Sequence, residues 1–251
     1  MPKSKRSKLV SLTKVDKKTR EHKSAMMENV KENAEKWKYC WLFEIGAMRN
    51  AHLKTVRNLW KGSARIFFSR SALLARALGT TPEEEYRMGI HKLAKQIEGE
   101  VGLLFTDTEP EEVIEWFADF AQPDFARAGN VASRTVILPA GSIMMHHADD
   151  PVPFPHDEDP QLRRLGLTTT MKRGVPTLQS PHKLCQKGKV LTTEQAQLLK
   201  LIGEKMVTFR VGLIARWDAA TGEVTQTEEL RLSQDEVLVA GDADDEGAMS
   251  E

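Results

Sequence analysis

The run V-T-F-R-V-G-L-I-A-R-W, residues 207–217, decides how this chain is assembled. It has the apolar density of a buried strand, and that density has been missing since residue 124. Between 125 and 206 prolines and glycines multiply and helical spacing fades. The pattern to which residues 207–217 return is set much earlier, by Y-C-W-L-F-E-I at 39–45 and V-G-L-L-F-T at 101–106. Near-continuous apolar runs of this length are expected of central strands covered on both faces. A strand of the first kind reappearing after a stretch of a different kind implies an inserted domain, with the first domain completed by the chain that follows it.

Helical signals separate the early strands. Residues 19–36 place Ala25, Met26, Val30 and Ala34 on a thin apolar stripe, and residues 50–60 place Leu53, Val56, Leu59 and Trp60 on one face. The stretch W-K-G-S-A-R-I-F-F-S-R-S-A-L-L-A-R-A-L, residues 60–78, reads as a turn at Lys61-Gly62-Ser63, a strand over 64–68, and a helix opened by Ser69-Arg70-Ser71 and stopped by Gly79. T-P-E-E-E at 81–85 has a hydroxyl cap, an early proline and first-turn acids, so it predicts a helix to about Ile97. A further helix over 110–120 turns Val113, Ile114, Phe117 and Phe120 inward. Strands alternating with helices give a layered α/β domain.

Within 125–206 the expectations are short strands at 135–138 and 175–178, an exposed loop over 144–161 and a helix over 194–202. After 207–217 come a turn at 218–222 and a last strand from 223 to about 230. The expected division is therefore a basic flexible tail (1–18), an α/β domain (19–124 plus 207–231), a smaller, mainly β (α+β) inserted domain (125–206) and an acidic flexible tail (232–251).

Over all 251 residues Lys plus Arg equal Asp plus Glu at 36 each, so net charge names no partner. Its distribution is more telling. Residues 1–23 carry nine cations against Asp16 and Glu21, among them Lys3, Lys5, Arg6 and Lys8, while residues 233–251 carry seven acids and no Lys or Arg. The run K-S-K-R-S-K suits nuclear import or RNA contact equally. Cys40 and Cys185 form no C-x-x-C, which argues against a disulfide framework or a cysteine zinc site and fits a reducing compartment. No apolar run has the length of a membrane span, and no secretory h-region is seen.

Candidate chemistry concentrates at the strand-to-helix junction around Arg70. Free N–H groups and the positive end of a helix dipole favour an anion there, with Ser69 and Ser71 flanking the cation. His146, His147 and His156 with Asp149, Asp150 and Asp157 could be read as a metal site of a hydrolase, but they lack helical i, i+4 pairing or cysteine companions and suit a solvated loop better. The five tryptophans could stack bases, yet four sit in apolar patterns typical of core. No phosphate-binding glycine loop or nucleophile elbow occurs, so neither catalysis nor a cofactor is expected.

Several stretches in order, M-P-K-S-K-R-S-K-L-V at the start, L-F-T-D at 104–107, A-R-A-G at 126–129, L-G-L-T-T-T-M-K-R-G at 165–174 and V-T-F-R-V at 207–211, carry a resemblance over about residues 1–231. The sequence resembles the mRNA turnover protein 4 family of ribosome assembly factors, itself similar to P-zero, the scaffold of the ribosomal stalk and a member of the L-ten class. The resemblance implies an α/β domain that binds the stalk base of large-subunit rRNA, and an inserted domain that projects outward. By position, it implies RNA contacts for Arg57, Gly62, Arg70 and Arg76; on their own chemistry Lys61 in the turn, Ser69 and Ser71 at the junction, and the basic tail at Lys3, Lys5, Arg6 and Lys8 join the candidate surface.

Arg70 takes the place of a Lys that the stalk protein sets between Gly and Asn, where this sequence has Ser69 and Ser71. The stalk protein also continues into helices that hold small acidic partners and into an acidic-aromatic tail, and neither pattern is seen here. The implied partners are precursor large-subunit proteins, other assembly factors and a factor that releases the protein before the stalk scaffold binds. No membrane is implied, and the implied location is the nucleolus and nucleus. The alternatives are the stalk scaffold itself on mature ribosomes and the metal-dependent hydrolase.

Overall fold

The computed structural model describes residues 20–147, 150–227 and 230–232. Both charged tails, and with them Lys3, Lys5, Arg6 and Lys8, lie outside the described residues. The first part of the chain forms α1 (Arg20–Lys36), β1 (Tyr39–Gly46), α2 (Asn50–Leu59), β2 (Ala64–Phe68), α3 (Ser71–Leu78), α4 (Ile90–Ala94), β3 (Val101–Thr106), α5 (Pro110–Asp119) and β4 (Gln122–Asp124). The middle part supplies β5 (Val136–Leu138), β6 (Gly141–Ser142), β7 (Met144–Met145), β8 (Val152–Pro153), α6 (Asp159–Arg164), β9 (Thr169–Lys172), β10 (Val175–Leu178), β11 (His182–Cys185) and α7 (Thr193–Ile202). The chain then returns as β12 (Val207–Asp218) and β13 (Val224–Gln226).

The layered α/β reading of the first domain holds. Its sheet runs in the order β13-β12-β1-β3-β2 with every pairing antiparallel, and β4 adds to the start of β12. Alternation along β1 and β3 supplies two cores. Cys40, Leu42, Leu103 and Phe105 pack with α1, α3 and α4 through Val30, Ala34, Leu74, Leu78 and Leu93. Trp41, Phe43, Ile45 and Leu104 pack instead with α2 and α5 through Leu53, Val56, Val113 and Phe117. Each such apolar side chain contributes about 1.5–3 kcal/mol when fully buried.

Strand β12 belongs to both layers. Its register against β1 shifts between Leu42 and Phe43, which face Ala215 and Leu213, so Ile214 is an extra residue. That bulge reverses the facing: Phe209, Val211 and Leu213 join the α2/α5 core, while Ala215 and Trp217 join the α1/α3/α4 core.

The middle part is mainly β, as expected, with a core of its own around Phe154, Leu162, Leu184, Leu198 and Leu199. Its sheets are small: β6-β10-β9, β11-β5 and β7-β8. A capping box at Thr192 and Gln195 starts α7. The two ends of the insert are tied together. Val131 bridges Val190, Gly129 N donates to Leu191 O at 3.0 Å, and Ala132 N donates to Lys189 O at 2.9 Å. At the neck Asp124 pairs with Val207, and Arg49 Nε meets Asp124 Oδ2 at 2.6 Å while its Nη2 donates to Phe125 O at 3.0 Å.

Four local expectations need correction. The helix expected from residue 81 to 97 is a set of turns followed by the short α4, because Gly89 adopts φ +77° and a Cβ there would lie 1.9 Å from Gly222 O. The acids that looked like a first helical turn serve another purpose: Glu85 Oε2 accepts from Gly89 N at 2.9 Å and meets His91 Nδ1 at 2.5 Å, a contact that lowers the Glu85 pKa. Leu59, placed with the inward face of α2, is 61% exposed because the helix ends there. The loop expected over 144–161 holds the β7–β8 pair, buried Phe154 and the start of α6, and the last strand covers only β13.

Gly89→Ala meets both a positive φ and the Gly222 carbonyl, so it should lower unfolding free energy by about 2 kcal/mol or more in chemical denaturation. An unchanged midpoint would mean that the 81–97 segment relaxes without strain.

Candidate nucleic-acid interface

The candidate surface is built on one buried side chain. Trp60 follows the last residue of α2 and stacks on Phe117 at 5.7 Å and 6°, with Trp116 edge-on at 5.2 Å. Around this anchor the chain reverses tightly: Lys61 N donates to Asn58 O at 3.3 Å and Ala64 N to Trp60 O at 2.9 Å. Gly62 stands at φ +108° with open space about it, so the turn needs glycine for its backbone angle and leaves the peptide accessible. Strand β2 then pairs with β3 alone, which makes it the edge of the sheet.

Along this edge Arg57, Lys61, Arg70 and Arg76 are all exposed, Gly62 with them, and Ser69 and Ser71 are half-buried. Neither serine hydroxyl caps α3. Arg70 is itself the N-cap, and its carbonyl accepts from Leu73 N at 2.9 Å and Leu74 N at 3.2 Å. The structure does not gather these cations at one point. Lys61 and Arg70 flank the five residues of β2, a strand about 16 Å long at ~3.3 Å per residue, while Arg57 lies on α2 and Arg76 on α3, helices that pack on opposite faces of the sheet.

Arg65 adds a cation that the sequence analysis leaves out. Arg65 projects from β2, exposed, with its guanidinium 5.8 Å from the Phe67 ring centre. Burial of the Arg57 guanidinium, and after it the like charge of Arg65, lower the Arg57 pKa. The sequence does hold a signal for Arg65. Residues 45–82 contain Arg49, Lys54, Arg57, Lys61, Arg65, Arg70 and Arg76, and no Asp or Glu. Among the described residues no carboxylate pairs with Arg57, Lys61, Arg65, Arg70 or Arg76, whereas Arg49, Arg134 and Arg163 are all paired.

The other candidates do not converge. The His147 ring meets Leu201 O at 2.8 Å, and among the described residues no three His, Cys, Asp or Glu side chains gather as a metal site. Asp149 lies outside the described residues. Trp41 and Trp217 are buried, Trp37 and Trp116 half-buried, so none of the five, Trp60 included, is an open stacking platform.

Comparison with known proteins fits this architecture. Residues 18–122 match ribosomal protein L10, and residues 126–203 match the insertion domain found in the 60S ribosomal protein of that L10 type. The ribosome assembly factor mrt4 of Neurospora crassa is 43% identical over 239 residues, 91% of this chain and 94% of its own. That of Schizosaccharomyces pombe is 44% identical over 218 residues, 85% of this chain and 90% of its own. The chain belongs to the mrt4 family of ribosome assembly factors. This mrt4-family chain is also similar to the large ribosomal subunit protein uL10 of Thermococcus gammatolerans, 24% identical over 177 residues, 70% of this chain and 50% of that protein. The family resemblance read from the sequence is thereby borne out.

Because Arg70 sits at a helix N-terminus with no acid partner, it opposes the helix dipole. Arg70→Glu in this mrt4-family protein should leave the free protein as stable as before or raise its unfolding free energy by about 0.5 kcal/mol. A clear loss of stability in thermal or chemical melts would make Arg70 a structural residue.

Proposed function

We propose that this protein binds the stalk-base region of large-subunit rRNA in nucleolar and nuclear precursors of the large ribosomal subunit, and holds the site that the stalk scaffold protein later takes. The observation that carries the reading is the set of exposed cations Arg57, Lys61, Arg65, Arg70 and Arg76 on and beside the β2 edge, none of them paired with a carboxylate among the described residues. Folded RNA is read mostly through its shape and its phosphates, and cations on turns and helix starts suit that task. Membership of a ribosome assembly factor family, and similarity to a large-subunit protein, support the large subunit as the setting. Its partners there are the precursor's proteins and assembly factors, and a factor that releases it; Lys3, Lys5, Arg6 and Lys8 extend the contact along the RNA backbone.

Affinity for a stalk-base RNA fragment tests this directly. With Arg57, Lys61, Arg70, Arg76 and three or four tail lysines on phosphates, the log-log salt slope should be about −5 to −7. Arg70→Glu should weaken binding by about 2 kcal/mol or more, while Lys92→Glu, on α4 and equally exposed, should change it little. Equal affinity of the two variants at matched salt would move the working surface elsewhere.

Exclusivity follows from shared ancestry of the RNA-binding part. The stalk scaffold and this protein should compete for one stalk-base fragment, as read by native gel mobility. A stable ternary complex of both proteins on one RNA would overturn the proposed succession, and copurification with small acidic stalk proteins on translating ribosomes would assign it to the mature stalk.

A further inference from the structure

Residues 129–138 and 182–191 run antiparallel as one continuous ribbon. Gly129 N donates to Leu191 O at 3.0 Å, the Val131–Val190 bridge follows, Lys187 N donates to Thr135 Oγ1 at 3.0 Å, and the β5–β11 ladder closes with His182 opposite Leu138. Alternation along the strands sorts two faces. Asn130, Ala132, Leu138, Leu184 and Leu191 are buried, whereas Val131, Ile137 and Val190 are 44%, 57% and 62% exposed. Of the eight large apolar side chains exposed among the described residues, three therefore belong to this one ribbon, which marks it as a contact surface rather than scattered exposure. Lys183, opposite Ile137, rims it together with Lys187 and Lys189. Lys183 Nζ donates to the Gln186 amide oxygen at 3.0 Å, and none of the three lysines has a carboxylate partner among the described residues. The stretch 160–193 holds seven Lys and Arg and no Asp or Glu. An apolar centre inside a cationic, acid-free rim fits an extended segment with apolar residues in the middle and acids on both sides.

The chain contains such a segment. D-E-V-L-V-A-G-D-A-D-D-E, residues 235–246, sets Val237, Leu238 and Val239 between Asp235-Glu236 and four further acids. The described part of the chain ends close enough to deliver it. Leu232 N donates to Glu44 Oε1 at 2.8 Å, and a Cβ on Gly212 would lie 2.8 Å from Leu232 Cγ, so Leu232 stands beside Gly212 of β12. Met206, six residues before Gly212, is about 20 Å away at ~3.3 Å per residue. Its carbonyl accepts from Ser133 Oγ at 3.0 Å, which makes it the foot of the ribbon. Seven residues of extended chain beyond Leu232, as far as Val239, span up to about 25 Å. The cationic β2 edge matches the acids too, but in residues 45–82 it has Leu59 alone as an exposed large apolar side chain.

We infer that residues 235–246 dock on the outer face of this ribbon, with Val237, Leu238 and Val239 on Val131, Ile137 and Val190, and the flanking acids on Lys183, Lys187 and Lys189. The contact keeps the acids of the tail on the inserted domain. Loose beside the first domain they would compete with an anion for its cations, so docking clears those cations whatever they bind.

Zero-length carbodiimide coupling of carboxylates to amines in the full-length protein, read by mass spectrometry, tests the contact. A mixture of isotopically light and heavy protein separates links within one copy from links between copies. Links from the acids of residues 235–246 to Lys183, Lys187 and Lys189 within one copy are expected. They should fall about tenfold in the triple variant Val237→Ser, Leu238→Ser, Val239→Ser, which keeps every charge and leaves the described residues unchanged, and by a similar factor in Val131→Ser with Val190→Ser, checked for fold by circular dichroism. Links chiefly to Lys61 or the N-terminal lysines would put the tail on the cationic edge, links chiefly between copies would make a second copy the occupant, and a lack of links would give the face to another protein; each of these overturns the inference. So would links that survive the triple variant unchanged, since charge alone would then hold the tail. Tryptic cleavage after Lys187 and Lys189 is an independent readout: the triple variant should be cut there about fivefold faster than the wild type, and equal rates would overturn the contact.

Discussion

Everything in the first domain depends on β12 serving two layers that face opposite ways. In a regular strand Phe209, Val211, Leu213, Ala215 and Trp217 would all point to one side of the sheet, leaving the other side of the central ladder without partners. The extra residue at Ile214 reverses the facing midway along the strand. Three of the five then complete the α2/α5 core, and two complete the α1/α3/α4 core. A one-residue register error without the bulge would turn Trp217 away from its layer and strand its indole N–H, which donates to Met88 O at 3.1 Å. That same bond ties the turns after α3 to the strand that follows the insert.

The β2 edge of this sheet is the part that the cores leave open. Trp60 commits its ring to Phe117 and Trp116, which pins the turn between α2 and β2 while the flanking Leu59 and Lys61 stay in solvent. The surface is therefore rigid where it is anchored and charged where it is free. An edge strand with unpaired backbone groups is a liability for aggregation, and arginine at its second position works against pairing with another chain. Arg65 thus protects the free protein at its open edge.

Much of this was legible in the residues. The apolar runs at 39–45, 101–106 and 207–217 pointed to the sheet and the insertion, since only a buried strand needs such density in so few residues. The strand and helix of residues 64–78 were also placed, because Gly62 and Gly79 punctuate them. What failed did so for identifiable reasons. Proline and acids at 82–85 look like a helix start at any position, and only the distant turn at Gly222 explains why Gly89 interrupts it. Leu59 was read by periodicity up to a helix end that periodicity does not define. Arg65 was passed over as a strand residue, although the absence of acids from 45 to 82 marks the whole segment. The bulge at Ile214 has no local signature, because its cause is the demand of two cores.

The tied ends of the insert bear on how the chain reaches this state. Gly46 pairs with Arg210, so the central ladder closes a loop that contains α2 to α5, β2 to β4 and the whole middle domain. Closure entropy grows slowly, about 0.6 kcal/mol for each doubling of loop length, yet the search for so distant a partner slows folding. During synthesis residues 126–203 leave the ribosome before β12 does. Once their own core forms, the Val131–Val190 bridge brings the two ends side by side, and the loop left to close is shortened by most of the inserted length. The neck thus shortens the closure that the central ladder needs: a domain that interrupts the sheet in sequence holds the start of β12 beside β4.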